Sequence, residues 1–412
     1  MKEKQVVIIG GGPAGLAAAV QLFEEGIRDI LIIEREASLG GILRQCIHDG
    51  FGLTRFKETL SGPEYAQRFI DEVQKRGIDY LTDTTVIDIS SDRIVTASSV
   101  QGISQYRAGA VVLSMGCRER TRHALSIPGT RPSGVYTAGM AQAYVNLHNV
   151  MPGKEVVILG SGDIGLIMAR RMTLEGAQVL GVFEIRPYPS GLPRNIEQCL
   201  NDYSIPLHLS HTVVDIHGSS RLKGVTVAKV NERCEPIAKT EVMYPCDTLI
   251  LSVGLIPENE LSLAAGVALD QRTKGALVDE DYQTSVDGIF AAGNVLQVHD
   301  LVDFVSLESE RLARSVARYV GRLKKKKPAG IPVETGPLLG YVVPQQIFGE
   351  KDLVLSMRVR RPLEDCTIEL AADGKCVKKV RMKKALPAEM IQIPVDAELV
   401  KGAEKVEVNV IC

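Results

Sequence analysis

Two glycine sets and one loop hold the residue types and spacings that could do chemistry. Gly10, Gly12 and Gly15 form Gly-x-Gly-x-x-Gly, with the acid Glu34 further on. The first glycine of such a set allows a tight turn, the second lets a pyrophosphate reach the backbone, and the third lets a helix pack closely on a strand. A helix N-terminus then offers unpaired N–H groups and a positive dipole end to phosphates. Glu34 can accept hydrogen bonds from ribose hydroxyls, and Arg35 beside it joins the candidate contacts. Gly160, Gly162, Gly165 and Glu184 repeat the set, each 150 positions on (160 − 10, 162 − 12, 165 − 15, 184 − 34). The loop Gly40–Gly50 adds Gly41, Cys46 and His48. A thiol and an imidazole there could tune or protonate a redox ring. The plainer reading is a small packing residue and a surface histidine.

The surrounding pattern predicts the elements that must position these residues. Gln5–Ile9 and Leu31–Ile33 are short apolar runs rich in β-branched residues, the mark of buried parallel strands, and the Ala17–Phe23 stretch between them reads as a helix. Val156–Leu159, a helix through Arg171, and Val179–Phe183 repeat that order. Two complete units imply two dinucleotides. FAD on the first and a nicotinamide cofactor on the second is the economical assignment, because the pair does chemistry together. Around the first unit we expect a helix over Pro63–Arg76 and a strand over Asp83–Ile89 with Val86 facing in. A meander over 93–112 should end in Ala110–Ser114, followed by a Ser114-Met115-Gly116 turn. Thr284–Asn294 reads as turn, strand and tight end, placing Gly293 and Asn294 where a polar group can bond the ribityl chain. The helix expected over Leu301–Leu323 can aim its N-terminus at the flavin pyrimidine. In the second unit, Glu184 favours NAD(H) over NADP(H) because a carboxylate repels a 2′-phosphate, although Arg186 could pair with that phosphate. Ser190–Arg194 reads as a loop closing on the nicotinamide half, and Cys117–Arg122 as either a solvated loop or a cradle for an anion.

Composition narrows the class. The chain has 412 residues, 45% hydrophobic and 24% charged, with a net charge of −2. That suits a globular protein and gives no reason to expect nucleic-acid binding. No apolar stretch is long enough for a membrane span. Eight cysteines without a CxxC pair or a zinc spacing, and no signal-like N-terminus, predict a cytoplasmic setting and no metal site. Lys324–Lys327 should cap a helix C-terminus, and the Gly/Pro-rich stretch after it reads as a linker. Five short strands are expected beyond it, over Leu353–Val359, Cys366–Leu370, Cys376–Met382, Met390–Pro394 and Val406–Ile411.

The two glycine sets, the Ser-Met-Gly turn and the Ala-Gly-Asn end together resemble the FAD- and NAD(P)-dependent pyridine nucleotide–disulfide oxidoreductase superfamily over about residues 5–325. Gln45–Gly52, Gly116–Arg120, Ile127–Pro132 and Gly293–Asp303 are similar to one branch of it. That branch includes flavoprotein subunits of hydrogen cyanide synthase and opine oxidase, and the flavoprotein encoded beside anaerobic glycerol-3-phosphate dehydrogenases. The resemblance implies an α/β fold of two Rossmann-like domains, the FAD domain (1–126 and 257–327) interrupted by the NAD domain (127–256). Beyond the resemblance, the residue pattern itself reads as a linker (328–345) and a small all-β domain (346–412), taken as the module that docks a partner dehydrogenase or iron–sulfur subunit. The departures are chemical. Thioredoxin reductase carries CxxC where this chain has Gly134–Ala141, and glutathione-reductase-like members carry CxxxxC where it has only Cys46. The usual Asp is Asn294, and the tail is unlike a glutathione-reductase dimerisation domain. The implied function is electron exchange between nicotinamide, flavin and a partner subunit, with no internal dithiol. Two alternatives stand beside it: an NADH oxidase or peroxidase cycling the single Cys46, and a binding subunit whose FAD is structural.

Overall fold

Apolar, β-branched runs become the central strands. In the computed structural model, which describes residues 1–321 and 330–412, Val6, Val7 and Ile8 of strand Lys2–Ile9 are fully buried, as a parallel strand covered on both faces must be. This strand pairs in parallel with Ile30–Ile33 on one side and Gly102–Leu113 on the other. Asp79–Leu81 extends the sheet beyond Ile30–Ile33. Gly102–Leu113 serves two partners. Its first half closes an antiparallel meander with Ile94–Ser99 and Thr85–Ile89, while Val111–Leu113 receive Ile289–Ala291 in parallel. The strand expected from Asp83 starts at Thr85, because Asp83 takes a left-handed turn conformation (φ 48°). The meander and the inward Val86 are as expected.

Helix Pro13–Glu24 follows the first glycine set and lays Leu16, Ala17, Ala18, Ala19 and Leu22 against the core. Helix Gly62–Lys75 begins with a capping box: Ser61 accepts from the Glu64 N–H and the Glu64 side chain accepts from the Ser61 N–H.

Residues Arg118–Ile256 form a compact unit by themselves. Its parallel sheet runs in the order Val135–Thr137, Thr248–Leu251, Glu155–Leu159, Gln178–Glu184, Leu207–Leu209. Helix Asp163–Leu174 follows the second glycine set. An antiparallel sheet of His211–Gly218, Leu222–Lys229 and Val242–Tyr244 covers part of the core.

Met1–Cys117 and Pro257–Cys412 form the other unit, so the tail packs with the first nucleotide fold. Helix Val302–Gly321 lies across it and buries Val305, Leu312, Ala313 and Val316. The lysine run 324–327 lies outside the described residues. The expected linker is not one. Ile331–Thr335 and Leu339–Val343 are strands that complete the tail's two sheets, and Ile331–Thr335 pairs in parallel with Val406–Ile411. The glycines and prolines there punctuate strands rather than replace them, since Ile331, Val333, Val342 and Val343 are all buried. The five expected strands are present, with Cys366–Leu370 lengthened to Leu363–Ala372 and Cys376–Met382 to Lys375–Ala385. Tail and nucleotide fold share contacts. Val343 belongs to the nucleotide-fold core, and Arg358 Nη2 lies 3.2 Å from Asp300 Oδ1 and donates to the Val298 carbonyl.

Candidate functional site: two glycine loops and a ribityl-side turn

Each glycine loop is held from behind by its own acid. Glu34 ends strand Ile30–Ile33. Its Oε2 accepts from the Gly11 N–H at 2.7 Å, and its Oε1 from the Glu36 N–H at 2.9 Å. Glu184 does the same in the second unit. Its Oε2 accepts from the Ser161 N–H and hydroxyl and from the Ser190 hydroxyl, and its Oε1 from the Arg186 N–H. Both acids are buried, so bonds to loop backbone offset the desolvation of their charge. Glu184 thus has several of its lone pairs committed to the loop. Arg35 is exposed, 3.8 Å from Glu36.

The glycines divide into two kinds. Gly10 and Gly160 have φ of +103° and +97°, and a Cβ there would strike the Ser114 and Ser252 carbonyls at 2.5 and 2.0 Å. A Cβ on Gly15 or Gly165 would lie 2.0 or 2.8 Å from the Gly10 or Gly160 carbonyl. These four are glycine because the protein leaves no room. Gly12 and Gly162 differ: a Cβ would meet Gly41 Cα at 3.8 Å in one, and Ser252 Oγ at 3.5 Å in the other. Their open faces, at the N-termini of two helices, are what a pyrophosphate needs.

The correspondence continues past the acids. Gly40 donates its N–H to the Gly11 carbonyl, and Gly41 must be glycine because its Cβ would come 2.9 Å from Gly12 Cα. Ser190 and Gly191 hold the corresponding places: Ser190 N–H donates to Ser161 Oγ, and a Gly191 Cβ would press on Ser161 O at 2.8 Å. The Ser190–Arg194 segment therefore packs on the second glycine loop. It runs into helix Pro193–Cys199 and is tied by Asp163 Oδ1, which accepts from the Leu192 N–H and the Asn195 amide. The second loop opens on a cavity of about 960 Å³ lined by Gly160, Gly162, Glu184, Arg186, Arg120 and Ser252 among others.

On the first unit, two turns converge on the start of helix Pro13–Glu24. Ser114 donates its hydroxyl to the Ile9 carbonyl, and Gly116 takes φ +73°. Gly293 packs so closely that a Cβ would lie 2.8 Å from Ala14 Cβ. The Asn294 amide nitrogen lies 3.6 Å from Cys117 Sγ. Beneath Asn294 sits a buried charged group. His299 Nε2 is 3.4 Å from Glu308 Oε2, both side chains 1% exposed, and Glu308 also accepts from the Gly293 N–H and the Gln297 amide. Burial opposes charge on Glu308, but His299 and these donors outweigh it and hold the carboxyl below its usual range. Asp303 accepts from the Gly52 and Arg55 N–H groups, pinning the loop that follows His48 to helix Val302–Gly321.

The loop candidates fare unequally. Cys46 donates to the Ile42 carbonyl and backs onto Gly62, and burial pushes its thiol up to about 12. That environment suits packing better than a thiolate. His48 stacks obliquely on Phe51, ring centroids 5.1 Å apart. The basic cluster after Cys117 splits. Arg122 donates to the carbonyls of Ile127, Pro128 and Gly129, and Glu119 accepts from the Gly139 N–H, so these close local structure. Arg120 faces the cavity. Ser252, Asp163 and Glu308 escaped the sequence reading. Ser252-Val253-Gly254 echoes Ser114-Met115-Gly116, and Glu308 interrupts the apolar face set by Val305 and Leu312.

A family profile described as "Pyridine nucleotide-disulphide oxidoreductase" matches residues 4–315. The chain belongs to the pyridine nucleotide-disulphide oxidoreductase family. The family implies a flavoprotein that uses FAD and NAD(P)H. The chain is similar to hydrogen cyanide synthase subunit HcnB of Pseudomonas protegens, 28% identical over 63% of this chain and 58% of the relative. A subunit of the opine oxidase of Agrobacterium tumefaciens is 26% identical over 70% and 60%, and an NAD(P)H sulfur oxidoreductase (CoA-dependent) of Pyrococcus abyssi 28% over 73% and 64%. The chain thus spans about three fifths of the length of these relatives. Thioredoxin reductase of T. acidophilum shares the fold, with a TM-score of 0.64 at 23% identity over 77% of this chain and 98% of that one. Among the described residues no helix is long and apolar enough to cross a membrane, and no cluster of three potential metal ligands occurs.

The residues fit the family's cofactors. The open face of Gly12 opposite Gly41, the helix N-terminus beside it and the amide of Asn294 form a donor set suited to FAD. Gly162 and the cavity beside it suit a nicotinamide dinucleotide.

Proposed function

We propose that this family member is the flavoprotein subunit of a multi-component dehydrogenase, exchanging electrons among NAD(H), FAD and a partner dehydrogenase or iron–sulfur subunit. The observation that carries the reading is the duplicated glycine loop, each copy latched by a buried acid, in a chain without a CxxC or CxxxxC pair. When bound, the two cofactors supply hydride transfer between nicotinamide and flavin. The chain's own part is to hold each pyrophosphate on open glycine backbone, to fix the loops from behind, and to place Asn294 beside the ribityl chain. The names of two relatives, subunits of a cyanide synthase and of an opine oxidase, support a subunit role. Resemblance puts glycerol 3-phosphate first among substrates, ahead of amines and opines, in the cytoplasm. Glu184 favours NADH, while Arg186 in the cavity is the residue able to meet a 2′-phosphate. The β-rich tail is the surface offered to the partner. A single-cysteine oxidase is disfavoured because the thiol of the half-buried Cys46 is pushed up to about 12, away from the thiolate.

The test is an anaerobic NADH titration of purified flavoprotein, followed by assay of whatever oxidising subunit co-purifies. Bleaching of the flavin by NADH, with no turnover until the partner is added, is the expected result. Failure of NADH to bleach it would end the reading.

A further inference from the structure

Asn294 carries an amide whose two ends differ, so its orientation decides what it offers. Its Oδ1 accepts from the His299 backbone N–H at 3.0 Å and stands 3.3 Å from His299 Nδ1. Turned the other way, the amide would set its own NH₂ against a backbone N–H. The network therefore keeps the oxygen toward His299 and leaves Nδ2 on the side of Cys117, 3.6 Å from its Sγ. His299 is itself fixed. Its Nε2 faces Glu308, which also grips the Gly293 N–H and Gln297. The imidazole thus stands between the two, Nδ1 toward Asn294 Oδ1 and Nε2 toward Glu308 Oε2.

We infer that His299, anchored by Glu308, is a positioning residue that locks the Asn294 amide with its NH₂ toward the flavin, so that position 294 donates where a carboxylate could only accept. This rests on the proposed flavin site. A single well-aligned bond of this kind is worth roughly tenfold in affinity.

The experiment is a double-mutant cycle on FAD affinity of the apoprotein, read by quenching of flavin fluorescence. Asn294→Ala and His299→Ala are each expected to weaken FAD binding about tenfold, and the double variant no more than Asn294→Ala alone. His299→Gln, which keeps an N–H for Asn294, should stay within about threefold of the unmodified protein. If His299→Ala does not fold, Glu308→Gln takes its place in the cycle, with the same expected coupling. A loss from His299→Ala, or from its replacement, that is equally large with and without Asn294 would overturn the latch while leaving the flavin site standing. Failure of the unmodified apoprotein to bind FAD at all would overturn the flavin reading itself, and the latch with it.

Discussion

At the scale of single residues, the two kinds of glycine make opposite predictions. Gly12→Ala and Gly162→Ala meet only ordinary contacts, at 3.8 and 3.5 Å, and neither position has positive φ. Both variants should fold, with a Tm within about 2 °C of the parent. Gly12→Ala should nonetheless lose its flavin. Gly162→Ala should keep flavin and raise the KM for NADH by about tenfold or more, measured under anaerobic reduction. Gly15→Ala, whose Cβ would lie 2.0 Å from a carbonyl oxygen, should fail to accumulate as folded protein. A second prediction concerns Cys46. With its thiol pushed up to about 12, it is protonated throughout the neutral range. Alkylation at pH 8 should be slow, and Cys46→Ala should retain the flavin spectrum and the rate of reduction by NADH. In the proposed flavin site, Asn294→Asp adds a negative charge, which disfavours an anionic reduced ring. The midpoint potential should fall, by about 30 mV if the added repulsion is near 1.4 kcal/mol.

At the scale of elements, the loop after His48 depends on one side chain. Asp303, 2% exposed, holds the Gly52 and Arg55 N–H groups from the first turn of helix Val302–Gly321, while Arg55 Nε reaches Glu310 at 2.7 Å. Asp303→Ala leaves both backbone donors without their carboxylate. The 50–57 loop should become the first site of limited proteolysis, and stability should drop by about 2 kcal/mol in a denaturant titration. Helix Gly62–Lys75 tests capping more simply: Ser61→Ala removes half of its capping box and should lower stability by about 1 kcal/mol.

At the scale of the whole molecule, the tail is joined to the nucleotide fold through Arg358 and Asp300, side chains 16% and 6% exposed, and through Val343 in the shared core. Arg358→Ala would leave Asp300 buried without its cation. A loss of about 3 kcal/mol is expected, with flavin released at lower temperature because Asp300 lies in the segment between Asn294 and the helix. If instead the tail unfolds in a separate transition and the flavin's release temperature is unchanged, the tail is energetically independent. Deleting 330–412 should for the same reason yield a destabilised fold, since Val343 and Tyr341 leave a gap in the first core.

Much of this was legible from residue order alone. Strand, glycine loop, helix and acid are local patterns, with spacings fixed by backbone geometry, so the fold class and the positions of both glycine loops follow from sequence. So do the strands whose alternation is uninterrupted, such as Leu353–Val359 and Val406–Ile411. Tertiary structure decided what depends on distant partners. Glu34 and Glu184 turn inward onto their loops because a neighbouring strand brings them there. The stretch 331–343 is sheet because Val406–Ile411 and Leu353–Val359 supply its hydrogen bonds, a pairing no local window contains. Burial beside Gly62 pushes the Cys46 thiol up, and a carboxylate nine positions after His299 meets its imidazole only once a helix folds back. Pattern encodes local geometry, whereas charge state and pairing are set by what the finished fold excludes from water.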